Sequence, residues 1–253
     1  MPVCVSLSSA KYFAKGAVDI AKAIGAKNLC FGSESGDILY LMDLALNGIN
    51  EIEEGNNILA CEYIRNLDDS IRPYTLKIDR SLGCASDIRN NYVDRIHDQE
   101  ELVFELLQYK IISSQPDILA KAPEVSEGLE NRLVSMLPKS KSLEDLKQKV
   151  KSKRYTYTRI SRMLMQILLG IEYSSPSSVY AHLLAFNKKG QELLSEYRNT
   201  DNIRIYSNIS PEDCANNKDL ETDVRSDDIY SVICGRSIYN CSDYVCKPVK
   251  CNI

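Results

Sequence analysis

Phe31-Gly32-Ser33-Glu34-Ser35-Gly36-Asp37 places two glycines and two hydroxyls where the short apolar run Leu29-Cys30-Phe31 gives way to a helical pattern. A strand that turns through glycine into a helix can offer bare backbone N–H groups and a helix N-terminus to an anion. Glycine, having no Cβ, lets a ligand approach the chain closely. Ordinary loop chemistry has the same spacing, so both readings stand. A second segment, Cys84-Ala85-Ser86-Asp87-Ile88-Arg89, sets Ser86 and Arg89 three residues apart, on one side of a helical turn. There a hydroxyl could hold a phosphate oxygen and a planar guanidinium could fork onto a triphosphate. On spacing alone, a capping serine followed by a surface arginine is the plainer reading. In Gly55-Asn56-Asn57-Ile58-Leu59 two adjacent amides could read a base or ribose edge, or cap the helix that follows.

The fourth segment is basic. Between Lys139 and Arg162 there are nine Lys/Arg and two acids, Glu144 and Asp145, although the whole chain has a formal charge of −4. Lys151, Lys153, Arg154, Arg159 and Arg162 alternate with Tyr155, Tyr157 and hydroxyl residues. Cations for phosphates, tyrosines for unpaired bases and hydroxyls for the 2′-OH suit RNA, and a solvated helix face has the same composition. An acidic protein with one concentrated basic stretch can still carry a local phosphate-binding face.

Other constellations are absent from the sequence. There is no G-x-x-x-x-G-K-[ST] loop, no G-x-S-x-G elbow and no zinc-type histidine pair. The two histidines, His97 in a charged run and His182 in what reads as an apolar helix, are read as structural. Nine scattered cysteines indicate reduced thiols. The C-terminal Cys234, Cys241, Cys246 and Cys251 are separated by six, four and four residues, not by the tight C-x2-C pair zinc prefers, so they too are read as free thiols.

These segments need elements to position them. Helical spacing covers residues 8–25, with Gly25 as a stop, and residues 37–48. A strand precedes Gly32, a helix runs from about Asn57 to Leu67, and an extended run from Tyr74 to Asp79 follows Pro73. That rhythm is an α/β layer with a parallel sheet. Only two strands are evident in the first 90 residues, where a doubly wound nucleotide-binding sheet has five or more, so the layer reads as partial. After Arg89 helical periodicity dominates 98–110, 125–137, 142–152, 157–169, 177–186 and 190–198. A strand at 203–207 and a helix at 211–233 follow. Ser142-x-x-Asp145 resembles a capping box. A boundary near 90–97 divides the chain into 1–93 and 94–253. With 253 residues, 44% apolar and 26% charged, the composition is that of a soluble globular protein. No membrane-length apolar run and no secretion signal is evident, which points to the cytoplasm.

At these segments the chain resembles the bacterial tRNA(Met) cytidine acetate ligases. That family has FGSE-x-GD, as in Phe31 to Asp37; a PNNILG-like segment, as in Gly55 to Ala60; and a P-x-T-x-[KR]-I strand, as in Pro73 to Ile78. It has SA[ST]-x-IR, as in Cys84 to Arg89 with Cys for the first Ser; EGLENR, as in Glu127 to Arg132; KRYT-x-TR-[IL]-x-R, as in Lys153 to Arg162; and a DIYS-like element, as in Asp228 to Ser231. The order is the same and nearly the whole chain is spanned. The resemblance implies an α/β fold class: a partial Rossmann-like nucleotidyltransferase sheet, then a mainly α-helical tRNA-binding domain. It implies ATP as substrate, with Mg2+, acetate activated as acetyl-adenylate, and elongator tRNA(Met) as acceptor at N4 of its wobble cytidine. Carried over by position, Gly32, Asn57, Lys77, Ser86 and Arg89 match ATP-contacting positions, and Lys151, Lys153, Arg154, Arg159 and Arg162 match a tRNA-facing basic helix. No catalytic side chain and no metal ligand carries over. The family's opening strand and H-x-G-H loop have no counterpart, so the chain is expected to be N-terminally truncated, and the link from Asp37 to Asn56 is short. Two alternatives are a non-catalytic RNA-binding relic and another nucleotidyltransferase that makes a dinucleotide-type cofactor.

Overall fold

A computed structural model describes residues 1–48, 53–79, 81, 93–173, 179–197 and 203–251. Helix α1 (Val3–Ser6) is a single turn that lies across α2 (Ala10–Ala23). Val5 sits in the notch left by Gly16, where a Cβ would meet Val5 Cγ1 at 2.6 Å. Gly25, at φ 65°, ends α2, and the Ala26 N–H reaches back to the Ala21 carbonyl at 2.9 Å.

Strands β1 (Asn28–Ser33) and β2 (Arg72–Lys77) pair in parallel, with Asn28 opposite Arg72 and Ser33 opposite Lys77. Their crossover contains α3 (Ile38–Asn47) and α4 (Gly55–Asn66). Phe31, Leu41, Ala45, Ala60 and Cys61 form a small core between sheet and helices. The opposite face carries Cys30, Gly32, Tyr74 and Leu76, all exposed. Parallel sheets are usually covered on both faces, and among the described residues this one is covered on one. Pro73 lies inside β2, opposite Leu29, rather than before it.

The helical half is built on α5 (Val93–Ser113), α6 (Pro116–Leu119), α7 (Leu129–Met136), a 3-10 turn (Leu137–Lys139), α8 (Leu143–Val150) and α9 (Tyr157–Leu169). Their apolar stripes meet in one core around Leu107, Leu133, Leu146, Met163 and Leu164, where each buried side chain contributes about 2 kcal/mol. Ser142 caps α8 by accepting from the Asp145 N–H. The Asp145 carboxylate takes the Lys141 N–H and the Lys149 ammonium instead of closing the box.

Two expectations for the C-terminal region are corrected. Residues 177–186 are not helical over their described part: Tyr180–His182 is β3 and Ala185–Phe186 is β4. β3 pairs in parallel with β5 (Arg204–Tyr206) and β4 with β6 (Val249–Lys250). A short apolar run fits a helix or a strand by periodicity alone, and the distant partner decides. Nor is 211–233 one helix. It breaks at Asn217 between α11 (Pro211–Asn216) and α12 (Lys218–Ile233), because the Asn217 side chain accepts from Asp219 N and Leu220 N and caps α12. Helix α10 (Lys188–Tyr197) precedes β5, and α13 (Ile238–Cys241) precedes β6. The half expected to be mainly helical thus also holds two small parallel pairs.

The N-terminal segment packs against α9 and α12. The Val3 N–H donates to Asp223 Oδ1 at 2.7 Å, the Tyr180 hydroxyl donates to Asp223 Oδ2 at 2.6 Å, and Gln166 Nε2 donates to the Leu7 carbonyl at 2.7 Å. Burial pushes the Asp223 carboxyl upward, against the lowering effect of the hydrogen bonds from Tyr180 and Val3. No described helix is long and apolar enough to cross a membrane. Leu146 is fully buried, so Leu146→Ala is expected to lower stability by about 2–5 kcal/mol, read from the urea midpoint.

Candidate functional site

The turn from β1 to α3 is held by reciprocal hydrogen bonds to the start of α4. Asn57, only 4% exposed, accepts the Glu34 and Ser35 N–H groups on Oδ1 at 3.1 and 3.2 Å. Glu34 answers, taking the Asn57 N–H on Oε2 at 2.9 Å and Asn56 Nδ2 on Oε1 at 2.8 Å. The two asparagines are therefore not helix caps. The N-cap of α4 is Glu54, without a side-chain bond, and Asn57 is spent on the loop. Ser33 Oγ accepts the Gly36 N–H at 2.9 Å and lies 2.7 Å from Thr75 Oγ1, which ties the loop to β2. Gly36 is required: its φ is +68°, and a Cβ would meet Lys77 Cβ at 2.6 Å and Lys77 Cα at 3.0 Å. Asp37 caps α3 through the Leu39 and Tyr40 N–H groups at 2.9 and 3.2 Å.

Gly32, Asn57 and Lys77 thus converge on one loop. Gly32 faces the open side of the sheet beside Ile78, Lys77 ends β2 with its side chain exposed, and Asn57 sits beneath. Ser86 and Arg89 lie outside the described residues, as does the His97 side chain. His182 is in β3, not in a helix, with Nδ1 3.8 Å from Asp243 Oδ1. Partial burial pushes the Glu34 carboxyl upward, but the bonds from Asn56, from its own N–H and from the Asn57 N–H outweigh it and hold the group below its usual 4.5. Glu34 was not among the expected site residues, although it stands inside the same motif.

The basic segment is organised inward as much as outward. Glu124, whose side chain is 14% exposed, pairs with Arg159 Nε at 3.1 Å and with Arg162 Nη2 at 3.0 Å. Arg159 also donates to the Glu124 carbonyl and Ser126 Oγ, and lies over the Tyr155 ring, 4.8 Å from its centroid. Tyr155 is buried, its hydroxyl on Ser126 and Glu127, so the expectation that it stacks on RNA bases is corrected: its ring is packing surface. The Tyr157 hydroxyl bonds to Glu144 and accepts from Lys147, and burial and that carboxylate push it up to about 12. Glu127, at φ 56°, pairs with Arg154, and Arg132 caps α8 through the Lys149 and Lys151 carbonyls at 2.8 and 3.3 Å. The EGLENR and KRYT-x-TR segments are two halves of one joint. Lys151, Lys153 and Arg154 remain exposed at its rim; Arg159 and Arg162 do not. Sequence reading missed Glu124, which no spacing rule connects to arginines 35 and 38 residues away.

A parallel βαβ layer whose glycine turn meets a helix, followed by a helical half, defines a class. A family model described as HIGH nucleotidyl transferase matches residues 1–51 and 82–242. Asn57 and Lys77 fall in the gap between the two matches, whereas Gly32, Ser86 and Arg89 lie within them. Proteins of Clostridium perfringens and Clostridium kluyveri, each named tRNA(Met) cytidine acetate ligase, are 29% and 30% identical over 98% of this chain and 82% of their own. The chain belongs to that family. The Clostridium perfringens alignment runs over 336 positions, more than the chain's 253 residues, so that relative carries internal residues without counterparts here. The fold is that of Thermotoga maritima TmcAL bound with alpha-thio ATP, with a TM-score of 0.81 at 22% identity over 98% of this chain and 82% of that one. Its apo form superposes with a TM-score of 0.76 at 20% identity.

Two outcomes follow from this geometry. The depressed Glu34 pKa means that its carboxylate stabilises the loop fully above about pH 4.5 and ceases to as pH falls through its own lower value. The Asn57 amide resonance should therefore titrate with a midpoint below 4.5, and a midpoint at or above it would contradict the brace. Glu124→Ala leaves two half-buried guanidiniums unpaired and is expected to cost on the order of 2–3 kcal/mol in chemical denaturation, whereas Arg154→Ala, at a 71% exposed side chain, costs under about 1 kcal/mol.

Proposed function

We propose that this chain acts as an ATP-dependent ligase that acetylates N4 of the wobble cytidine in elongator tRNA(Met). The observation that carries the reading is the match to ligases of this name along 98% of the chain, with the glycine turn and its brace inside the matched span. In the first step an acetate oxygen attacks the α-phosphorus of ATP and pyrophosphate leaves. In the second the cytidine N4 attacks the acetyl carbonyl, AMP leaves and the nitrogen loses a proton. No protein nucleophile is needed, so the chain's task is to position the reactants and offset phosphate charge.

The residues divide that task. Gly32 leaves room for the nucleotide on the open face of the sheet, Asn57 and Glu34 keep the turn in place before it arrives, and Lys77 offers an ammonium at the strand end. Ser86 and Arg89, by their motif, would hold phosphate oxygens. Lys151, Lys153 and Arg154 face the RNA, while Arg159 and Arg162 keep their segment in place through Glu124. Residues 1–93 take the nucleotide and 94–253 the tRNA. Magnesium is expected with ATP.

One sequence fact favours a second reading, RNA binding without catalysis: the chain has two histidines and no H-x-G-H. Titration with ATP, then pyrophosphate release with acetate and tRNA(Met), separates the two. Saturable ATP binding and release dependent on both substrates are expected; tRNA binding with neither would establish the relic. Arg154→Ala is expected to weaken tRNA binding and lower the slope of log K against log salt by about 0.9, and an unchanged slope would remove that rim from the RNA face.

A further inference from the structure

The cations expected to meet RNA are largely paired within the protein, and others are not. Lys188, Lys189, Lys247 and Lys250 are exposed, and among the described residues none of them makes an ion pair. They belong to one locality: Lys250 lies opposite Phe186 in the β4–β6 pair, two residues before Lys188, and Lys188 and Lys247 line the same groove. That groove holds about 740 Å³, within the roughly 300–1,000 Å³ of small-ligand sites. It opens at the carboxyl ends of β3 and β5, since Leu183 follows β3 and Ser207 follows β5, and it runs beside the β4–β6 pair through Phe186, Lys247 and Pro248. In parallel sheets that is where ligands bind.

We infer that this groove binds a single-stranded segment of the RNA substrate, with unstacked bases inside and phosphates along the lysine rim. The inference rests on the reading that the substrate is RNA. The groove's walls combine apolar surface from Leu183, Phe186 and Pro248 with the hydrogen-bonding side chains of Ser207 and Asn208, which is what a base needs for its face and its edge. Among the described lining residues Glu192 is the one acid, against Lys188 and Lys247. Lys188 and Lys247 on the lining, with Lys250 opposite Phe186, suit a string of phosphates better than a single one. A concave site with an apolar wall suits splayed bases better than a duplex, which presents a convex backbone.

The test is fluorescence anisotropy with a labelled 12-nucleotide single-stranded RNA of mixed sequence and with elongator tRNA(Met), across a salt series. Lys188→Ala with Lys247→Ala is expected to weaken the oligonucleotide about tenfold and lower the salt slope by about 1.4, roughly 0.7 per phosphate. Lys11→Ala with Lys27→Ala, exposed lysines of the N-terminal layer, should change neither. Lys188→Arg with Lys247→Arg should keep wild-type binding, which separates lost charge from lost fold. Unchanged affinity and slope in the alanine pair while wild type binds tRNA would overturn the groove alone. Equal competition by blunt duplex RNA would overturn its single-strand preference. Failure of wild type to bind tRNA at all would overturn both the groove and the proposed function.

Discussion

A largely buried carboxylate between two guanidiniums governs how the helical half closes. Glu124 stands before α7, and Arg159 and Arg162 stand on α9. A charge partly removed from water must find its opposite, and Glu124 has two. Around this contact the neighbouring segments take their places: Ser126 under Arg159, Tyr155 beneath its guanidinium, Glu127 against Arg154, Arg132 on the end of α8. The apolar core supplies most of the stability. The ion pairs select the register in which the 124–132 segment meets the 151–162 segment.

The β1–α3 turn uses the same device at smaller scale. Two loop N–H groups would be left without partners unless something accepted them, and the buried Asn57 amide does so while Glu34 takes the opposing N–H. The loop is consequently set before any ligand arrives, as a site that works by positioning requires. Gly36 permits the close passage against Lys77, and Gly32 leaves the open face of the sheet free of a side chain.

Charge along the sequence and charge on the surface are different quantities here. The stretch from 139 to 162 has a strong positive excess, yet two of its arginines face inward, and Arg132 from outside the stretch also serves an internal carbonyl pair. The unpaired lysines of the 188–189 and 247–250 segments, unremarkable in sequence, come together because β4 and β6 are neighbours, with Phe186 opposite Lys250, 64 residues further along the chain.

Much of the architecture was legible before any coordinates. α2, β1, α3, α4, β2, α5, α8 and α9 follow from apolar spacing, from the glycine stop at 25 and from the cap at Ser142, because these are local interactions within a few residues. The motif order carried the family by resemblance, and it drew Gly32, Asn57 and Lys77 into one list. What Asn57 does was not legible, since its amide is spent on N–H groups 22 and 23 residues away. Neither was the strand character of Tyr180–His182, whose parallel partner at 204–206 is distant in the chain, nor the break at Asn217. By itself the sequence determined most of the helices, the glycine stop at 25 and the kinship. The tertiary structure alone decided which cations face water and which polar groups are consumed inside, because burial and charge pairing depend on neighbours that local spacing does not encode.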